Sequence, residues 1–405
     1  MSTPQLRAQF PALTQMLGDY PLVYLDTAAT SQKPQRVLEA MARFYREDCA
    51  NVHRAAHQLS ARATQAYEAV RDALQHFIHA ARREEIIFTH GTTEAINLLA
   101  WGLGERFGKD DLILVDSCAH HANLLPWQQL AKRSGARLEP IPLDKNLRLD
   151  KAAFSLLLQQ KPKLVALSHV SNVLGTVNDI QALCQDIRAA GAISVVDGAQ
   201  AVAHLPLDMQ QLGCDFYAFS GHKMYGPSGI GVLWGRYELL DTLEPLLTGG
   251  EMIKTVSFQG GSTFGDLPNR LEAGTPPIAE VIGLGEAVAF LKQQDRQALA
   301  LAEQKLLNKL QQGLSAIAGV ELYGAHRDNL GAVAFNLKGE HHQDVGILLD
   351  QQGIAVRCGH HCAMPLMSLM GIKGCCRASV GIYTDEQDIK RFLDALKASA
   401  ELLGY

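Results

Sequence analysis

The chain has 405 residues, 47% of them apolar and 20% charged, with a formal net charge of −5 and a pI near 6.3. That length predicts two or three domains, and the charge balance argues against nucleic acid as a partner. No apolar run of about 18 residues suggests a membrane span, and MSTPQLRAQFPALTQML lacks the basic start and apolar core of a secretory leader, so the cytoplasm is the expected compartment.

Residues 1–20 read as a short helix and linker, expected to pack near a small C-terminal domain. Val23-Tyr24-Leu25-Asp26 is a brief strand, and a helix runs from near Pro34 to Tyr45. Leu59 to Ile78 is helical, because Tyr67, Val70, Leu74 and Phe77 recur at three- and four-residue steps. From there strands and helices alternate. The predicted strands are Glu85–Phe88, Leu112–Val115, Leu138–Pro142, Leu164–Val170, Ile193–Asp197, Phe216–Ser220 and Gly231–Trp234. This pattern predicts an α/β fold, a three-layer sandwich whose open, mostly parallel sheet is covered on both faces. Ligands of such sheets bind at the carboxyl ends of strands. Thr92, His120, Asn172, Asp197 and Lys223 all fall at or just past such an end.

Gly260 to Pro277 reads as an extended loop, and a long helix follows to about Gln293. Beyond it come a helix at 297–316, strands at 320–323 and 331–337, a helix at 342–352, strands at 354–358 and 376–383, and a helix at 385–402. The expected division is therefore an N-terminal segment (1–20), a large α/β domain (21–290) and a smaller C-terminal α+β domain (291–405).

The apolar run Phe216–Phe219 ends abruptly in Ser220-Gly221-His222-Lys223. A lysine between two apolar strands is desolvated, which lowers its pKa and makes the amine usable as nucleophile or base; the plainer reading is a hairpin lysine reaching out to water. Gly91-Thr92-Thr93-Glu94 joins a strand to a helix. Free N–H groups and the helix dipole there favour an anion, with the Thr92 and Thr93 hydroxyls as further donors, or one threonine simply caps the helix. Asp197 closes the otherwise apolar ISVVD as cap or as counter-ion. At an effective dielectric near 20, opposite charges about 3 Å apart attract by roughly 5 kcal/mol, enough to keep a weakly basic ring nitrogen protonated. Gln200, three residues on, offers an amide to the same ligand. The His120-His121 pair suits a metal, a stacked planar ligand or a solvated loop. A Schiff-base lysine, a pyridinium counter-ion and a phosphate cradle are together what pyridoxal 5'-phosphate requires.

The second centre is Arg357-Cys358-Gly359-His360-His361-Cys362-Ala363-Met364-Pro365, with Cys375-Cys376-Arg377 beyond. Cys358, His361, Cys362 and Cys376 could ligate zinc in a non-catalytic interaction protein, but adjacent cysteines make a poor knuckle, and no metal is expected. The alternative is a nucleophilic cysteine whose thiolate the histidines favour, with Arg357 and Arg377 as planar forks for a substrate carboxylate. The remaining cysteines (Cys49, Cys118, Cys184 and Cys214) read as small buried hydrophobes.

Together NVHR, HGTTEAIN, HHANLLPW, SHVSNVLGT, VVDGAQ, SGHKMYGPSGIGVLWG, LEAGTPP and RCGHHCAMPL resemble the cysteine desulfurases, fold-type I pyridoxal phosphate enzymes of aminotransferase class V. The resemblance runs from Tyr24 to about Tyr383, and HHCAMPL is similar to the SufS/CsdA type. It implies that Lys223 forms the Schiff base, Asp197 pairs with the pyridinium, Gln200 meets the phenolic oxygen, and His120 stacks on the ring and assists proton transfer. Thr92, Ser220 and His222 would hold the phosphate, helped by Thr275 from the other subunit of a homodimer. Asn172 and Arg377 would bind the carboxylate of L-cysteine, and Cys362 would attack its sulfur to give a persulfide and L-alanine. The sulfur would pass to a SufE/CsdE-like acceptor protein for iron–sulfur cluster assembly. L-selenocysteine, as for a selenocysteine lyase, is the alternative substrate. Three positions depart from the pattern: Ala119 where glutamate is usual, Cys358 where threonine is frequent, and Ala55 where glycine is common. Cys358 raises the idea of a disulfide with Cys362 or of internal sulfur transfer.

Overall fold

The computed structural model describes residues 3–405. Its centre is a seven-stranded sheet, in the order Ile86–Thr89, Gly231–Gly235, Phe216–Ser220, Ile193–Asp197, Leu164–Ser168, Leu112–Asp116 and Arg137–Ile141. Four of the six pairings are parallel; Gly231–Gly235 runs antiparallel to both its neighbours. The cause lies in its connection. Residues 221–230 are too few for the helical crossover that a parallel return needs, so the chain doubles back beside Phe216–Ser220.

Pleating sorts each central strand between two cores. Leu112, Leu114, Tyr217 and Phe219 face one side with Tyr67, Val70 and Leu74 of the helix Gln58–Phe77 and with Val288 of Ile278–Lys292. Ile113, Val115, Phe216 and Ala218 face the other, against Leu98 and Leu99 of Thr92–Gly102 and Trp127 and Leu130 of Leu125–Ser134. Both faces are thus covered, and the expected three-layer sandwich with a mostly parallel sheet is found. Only the edge strand Arg137–Ile141 is largely open to solvent. Helix Ile278–Lys292 is apolar nearly all round because it lies against both Gln58–Phe77 and Gln35–Arg43. The packing is close: a Cβ at Gly285 would sit 2.6 Å from Val70.

A four-stranded antiparallel sheet, ordered Val320–Tyr323, Ala332–Leu337, Cys375–Ser379 and Arg357–Gly359, builds the C-terminal part. Helices Arg296–Ser315, His342–Asp350 and Glu386–Leu402 share its apolar core.

Three segments differ from expectation. The strand expected at 354–358 divides at Val356: Ile354–Ala355 pairs in parallel with Val23–Tyr24, whereas Arg357–Gly359 joins the four-stranded sheet. Val23 and Leu25 accordingly lie in the C-terminal core rather than under the large sheet. The stretch ahead of Pro277 is not wholly a loop, since Ile253–Ser257 and Gly261–Phe264 form a hairpin. Its residues are mostly exposed, with Phe258 fully so, and a hairpin that buries neither face has no apolar alternation to read. Within the N-terminal segment, Phe10 packs edge-on against Tyr225, Phe290 and Tyr383, and Arg7 pairs with Asp388 at 2.6 Å, so it ties the two parts together. No helix among the described residues is long and apolar enough to cross a membrane.

Candidate active site

The carboxyl ends of the large sheet's parallel strands and the cysteine-bearing loop of the C-terminal part enclose a cavity of about 300 Å³. Thr92, Thr93, His120, Asn172, Asp197, Gln200, Ser220, His222 and Lys223 line it from the large sheet. Arg357, Cys362 and Arg377 line it from the small one. Of the residues expected to bind cofactor or substrate, Thr275 alone lies elsewhere, in a neighbouring hollow with Tyr67, His90 and Glu272.

One end of the cavity is built for an anion. Gly91, at φ 147°, turns the chain from strand into the helix Thr92–Gly102 and presses against Gly231, where a Cβ would come within 2.5 Å of the Gly91 Cα. The helix's first N–H groups and dipole therefore point at the cavity beside hydroxyls. Ser220 Oγ accepts from the Thr92 N–H at 2.9 Å and lies 2.8 Å from Thr92 Oγ1. His222 stands beside them. Its carbonyl accepts from the Ser31 N–H at 2.9 Å, its ring lies 3.3 Å from Thr30 Oγ1, and burial, then Lys223 and Lys33, push its pKa down to about 4.

The middle of the cavity holds a buried amine and a buried carboxyl group. Lys223 ends the short 3-10 turn Gly221–Lys223 that leaves the apolar strand Phe216–Ser220. Burial lowers its pKa, opposed by the Asp197 charge. Asp197 is itself raised by burial, with Lys223 opposing; its carboxylate accepts one hydrogen bond, from the Ala199 N–H at 2.9 Å. His120 is pushed down to about 3, first by burial and then by Lys223, so its ring is neutral at physiological pH. Its Nδ1 accepts from the Ala122 N–H at 3.0 Å, which places the ring proton on Nε2. Gln200 donates from Nε2 to the Ala28 carbonyl at 2.8 Å, holding the Thr27-Ala28-Ala29 turn against the cavity.

The far wall carries the arginines. Arg377 is buried and donates to the Asn172 carbonyl at 2.8 Å and to Asp26 Oδ1 at 3.3 Å, while its buried Nε has no hydrogen-bond partner among the described residues. Burial lowers its pKa and Asp26 supports its charge. The half-exposed Arg357 grips Asp26 with two prongs, Nε–Oδ1 at 3.1 Å and Nη2–Oδ2 at 2.9 Å. The side-chain amide of Asn172 donates to the His361 carbonyl at 2.8 Å.

Cys362 is exposed on its loop, and both it and His361 have left-handed backbone, at φ 54° and 51°. Such a conformation costs a non-glycine residue on the order of 1 kcal/mol, so neighbouring contacts must hold it. They do. His361 Nε2 meets the Cys375 carbonyl at 2.9 Å, and the Cys362 carbonyl accepts from the His121 N–H at 2.7 Å. His361 is pushed down to about 3 by burial and then by Arg377.

Cys358 does not belong to this wall. On antiparallel strands Arg357 faces Arg377 and Cys358 faces Cys376, and successive side chains point to opposite sides. The two thiols meet at 3.5 Å on the reverse face, where Cys376 also reaches the His342 carbonyl. This separates Cys358 and Cys376 from Cys362 and corrects the idea of internal transfer through Cys358. Among the described residues no group of three or more histidines, cysteines or carboxylates is placed to hold a metal ion.

Sequence reasoning missed Asp26, and it named His121 without its contacts to the Cys362 loop. The Val23-Tyr24-Leu25-Asp26 strand signals only that Asp26 ends a strand; its pairing with Ile354–Ala355 is what brings the carboxylate under both arginines.

Comparison with known proteins identifies the family. Residues 23–392 match the aminotransferase class-V family model. A cysteine desulfurase of Yersinia pestis (strain Pestoides F) is 48% identical over 401 residues, covering 99% of this chain and 98% of the relative. The chain belongs to the cysteine desulfurases of aminotransferase class V. Its fold follows that of the Escherichia coli cysteine desulfurase CsdA, crystallised as an S-sulfonic acid, with a TM-score of 0.92, 39% identity and 99% of each chain covered. A C-DES mutant with glycine covalently linked to its PLP cofactor superposes at a TM-score of 0.82 and 25% identity, covering 96% of this chain and 98% of the other.

Proposed function

We propose that the cavity holds pyridoxal 5'-phosphate on Lys223 and converts L-cysteine to L-alanine, with the sulfur left as a persulfide on Cys362. The observation that carries this reading is that Lys223 and Cys362, from separate sheets, line one cavity. The residues present fit the cofactor. The helix start at Thr92 with Ser220 and His222 suits its phosphate, the buried carboxylate of Asp197 suits its pyridinium, and the neutral ring of His120 suits its face. When bound, the cofactor supplies an electron sink for charge developing at the substrate's Cα.

The chain's own groups do the rest. Burial favours the free amine of Lys223, which suits it to take the substrate's Cα proton. The Arg377 guanidinium lines the cavity and offers a planar fork for the substrate carboxylate, and Arg357 and Asn172 border the same site. Cys362 Sγ then bonds to the substrate sulfur as the Cβ–S bond breaks, and the remaining three-carbon fragment gains protons to leave as alanine. Thr275, in its separate hollow, is assigned to the cavity of a second copy in a homodimer. The exposure of Cys362 suits hand-off of its sulfur to a SufE/CsdE-like acceptor protein, for iron–sulfur cluster assembly, in the cytoplasm.

The reading is tested by measuring alanine and sulfide from L-cysteine with the cofactor-loaded protein. Equal amounts of both are expected in the presence of reductant, and none from Lys223→Ala. Alanine formation by Lys223→Ala at the wild-type rate would refute it.

A further inference from the structure

Cys362 is oriented entirely through its backbone, because its exposed side chain makes no hydrogen bond among the described residues. Two imidazoles flank it. His360 Nδ1 accepts from the Cys362 N–H at 3.1 Å. His121, supplied by the large sheet, grips the segment at two points: its backbone N–H donates to the Cys362 carbonyl at 2.7 Å, and its Nε2 accepts from the Met364 N–H at 3.2 Å. The His121 and His360 rings lie 5.7 Å apart.

We propose that His121 is a positioning residue for the sulfur-accepting step, bracketing Cys362 between its backbone N–H and its Nε2 so that the left-handed loop keeps the thiol at the cavity. Met364 is the first residue of the helix Met364–Leu369, and its N–H is one of the donors that a helix start leaves unpaired. The helix has no capping side chain of its own at Ala363. His121 therefore caps a helix in the other part of the chain and, through it, fixes the residue two positions earlier. The cap works only while Nε2 keeps its lone pair. Burial first, and then His360, lower the pKa of His121, a direction that favours the neutral ring. His121 is not among the residues that line the cavity, so its action passes through the loop and not through substrate or cofactor.

This assignment rests on the proposed function, and its test uses two variants that differ only in where they put an acceptor. His121→Gln carries a carbonyl near the Nε2 position; His121→Asn carries one near Nδ1, out of reach of Met364. Both retain the backbone N–H. With the cofactor-loaded enzyme and L-cysteine, His121→Asn is expected to lose at least fivefold in kcat with KM changed less than twofold, and His121→Gln to keep at least half of the wild-type kcat. The rate at which iodoacetamide alkylates Cys362, followed by mass spectrometry, should change at least threefold in His121→Asn and stay near wild type in His121→Gln. Wild-type kcat in His121→Asn, equal losses in both variants, or a loss carried by KM overturns the assignment. If the wild type forms no alanine, the proposed function fails instead, and the alkylation rates still decide whether His121 holds the loop.

Discussion

Arg357 and Arg377 face each other across adjacent antiparallel strands and share one carboxylate, that of Asp26. The sharing is unequal in its consequences. Arg357 is half exposed, and an ion pair screened by water contributes about 1 kcal/mol or less. Arg377 is buried, braced by the Asn172 carbonyl, and lines the cavity.

Arg377 should therefore dominate recognition of the substrate carboxylate. Arg377→Lys keeps the charge but loses the planar fork, and it is expected to raise KM for L-cysteine at least tenfold. Arg357→Lys should raise it less than threefold. Steady-state kinetics on the two variants decides the matter, and equal effects would contradict the ranking.

The pleat that turns Arg357 toward the cavity turns Cys358 away from it. Cys358→Ser should leave the rate of alanine formation, with or without a sulfur acceptor, within twofold of wild type. A larger loss in the acceptor assay alone would restore a role for Cys358 in transfer.

Stability should fall on the acid side. His169 and His361 are buried, and burial pushes their pKa down to about 4 and about 3 from an unfolded value near 6.5. Below about pH 6.5 the unfolded chain binds protons that the folded chain does not. Their contribution is thus complete above that pH and is lost as the pH drops toward 4, at no more than about 1.4 kcal/mol per pH unit for each group. Thermal melting at pH 7.5 and pH 5.0 should show the lower midpoint at pH 5.0; equal midpoints would mean that these rings are protonated in the folded state.

The large sheet was legible because its central strands are covered on both faces, so Leu112–Asp116, Leu164–Ser168 and Phe216–Ser220 read as unbroken apolar runs. The polar residues that interrupt those runs mark strand ends, which is why Asp197 and Lys223 could be picked out singly and then grouped. The break at Val356 was not legible, since Ile354–Ala355 and Arg357–Gly359 differ in partner and not in composition. Nor does His120-His121 reveal from spacing that one ring lines the cavity while its neighbour caps a helix in the other part of the chain. Both features are long-range pairings, and local pattern carries no trace of them.

The central claim is that sulfur leaves cysteine for Cys362. The direct measurement is mass spectrometry of the cofactor-loaded enzyme after one equivalent of L-cysteine, without reductant or acceptor and with alkylation to trap persulfide. The expected result is one added sulfur on the peptide containing Cys362, matching the alanine formed, and none on the peptide containing Cys375 and Cys376. Full alanine formation with no added sulfur on Cys362 would contradict it.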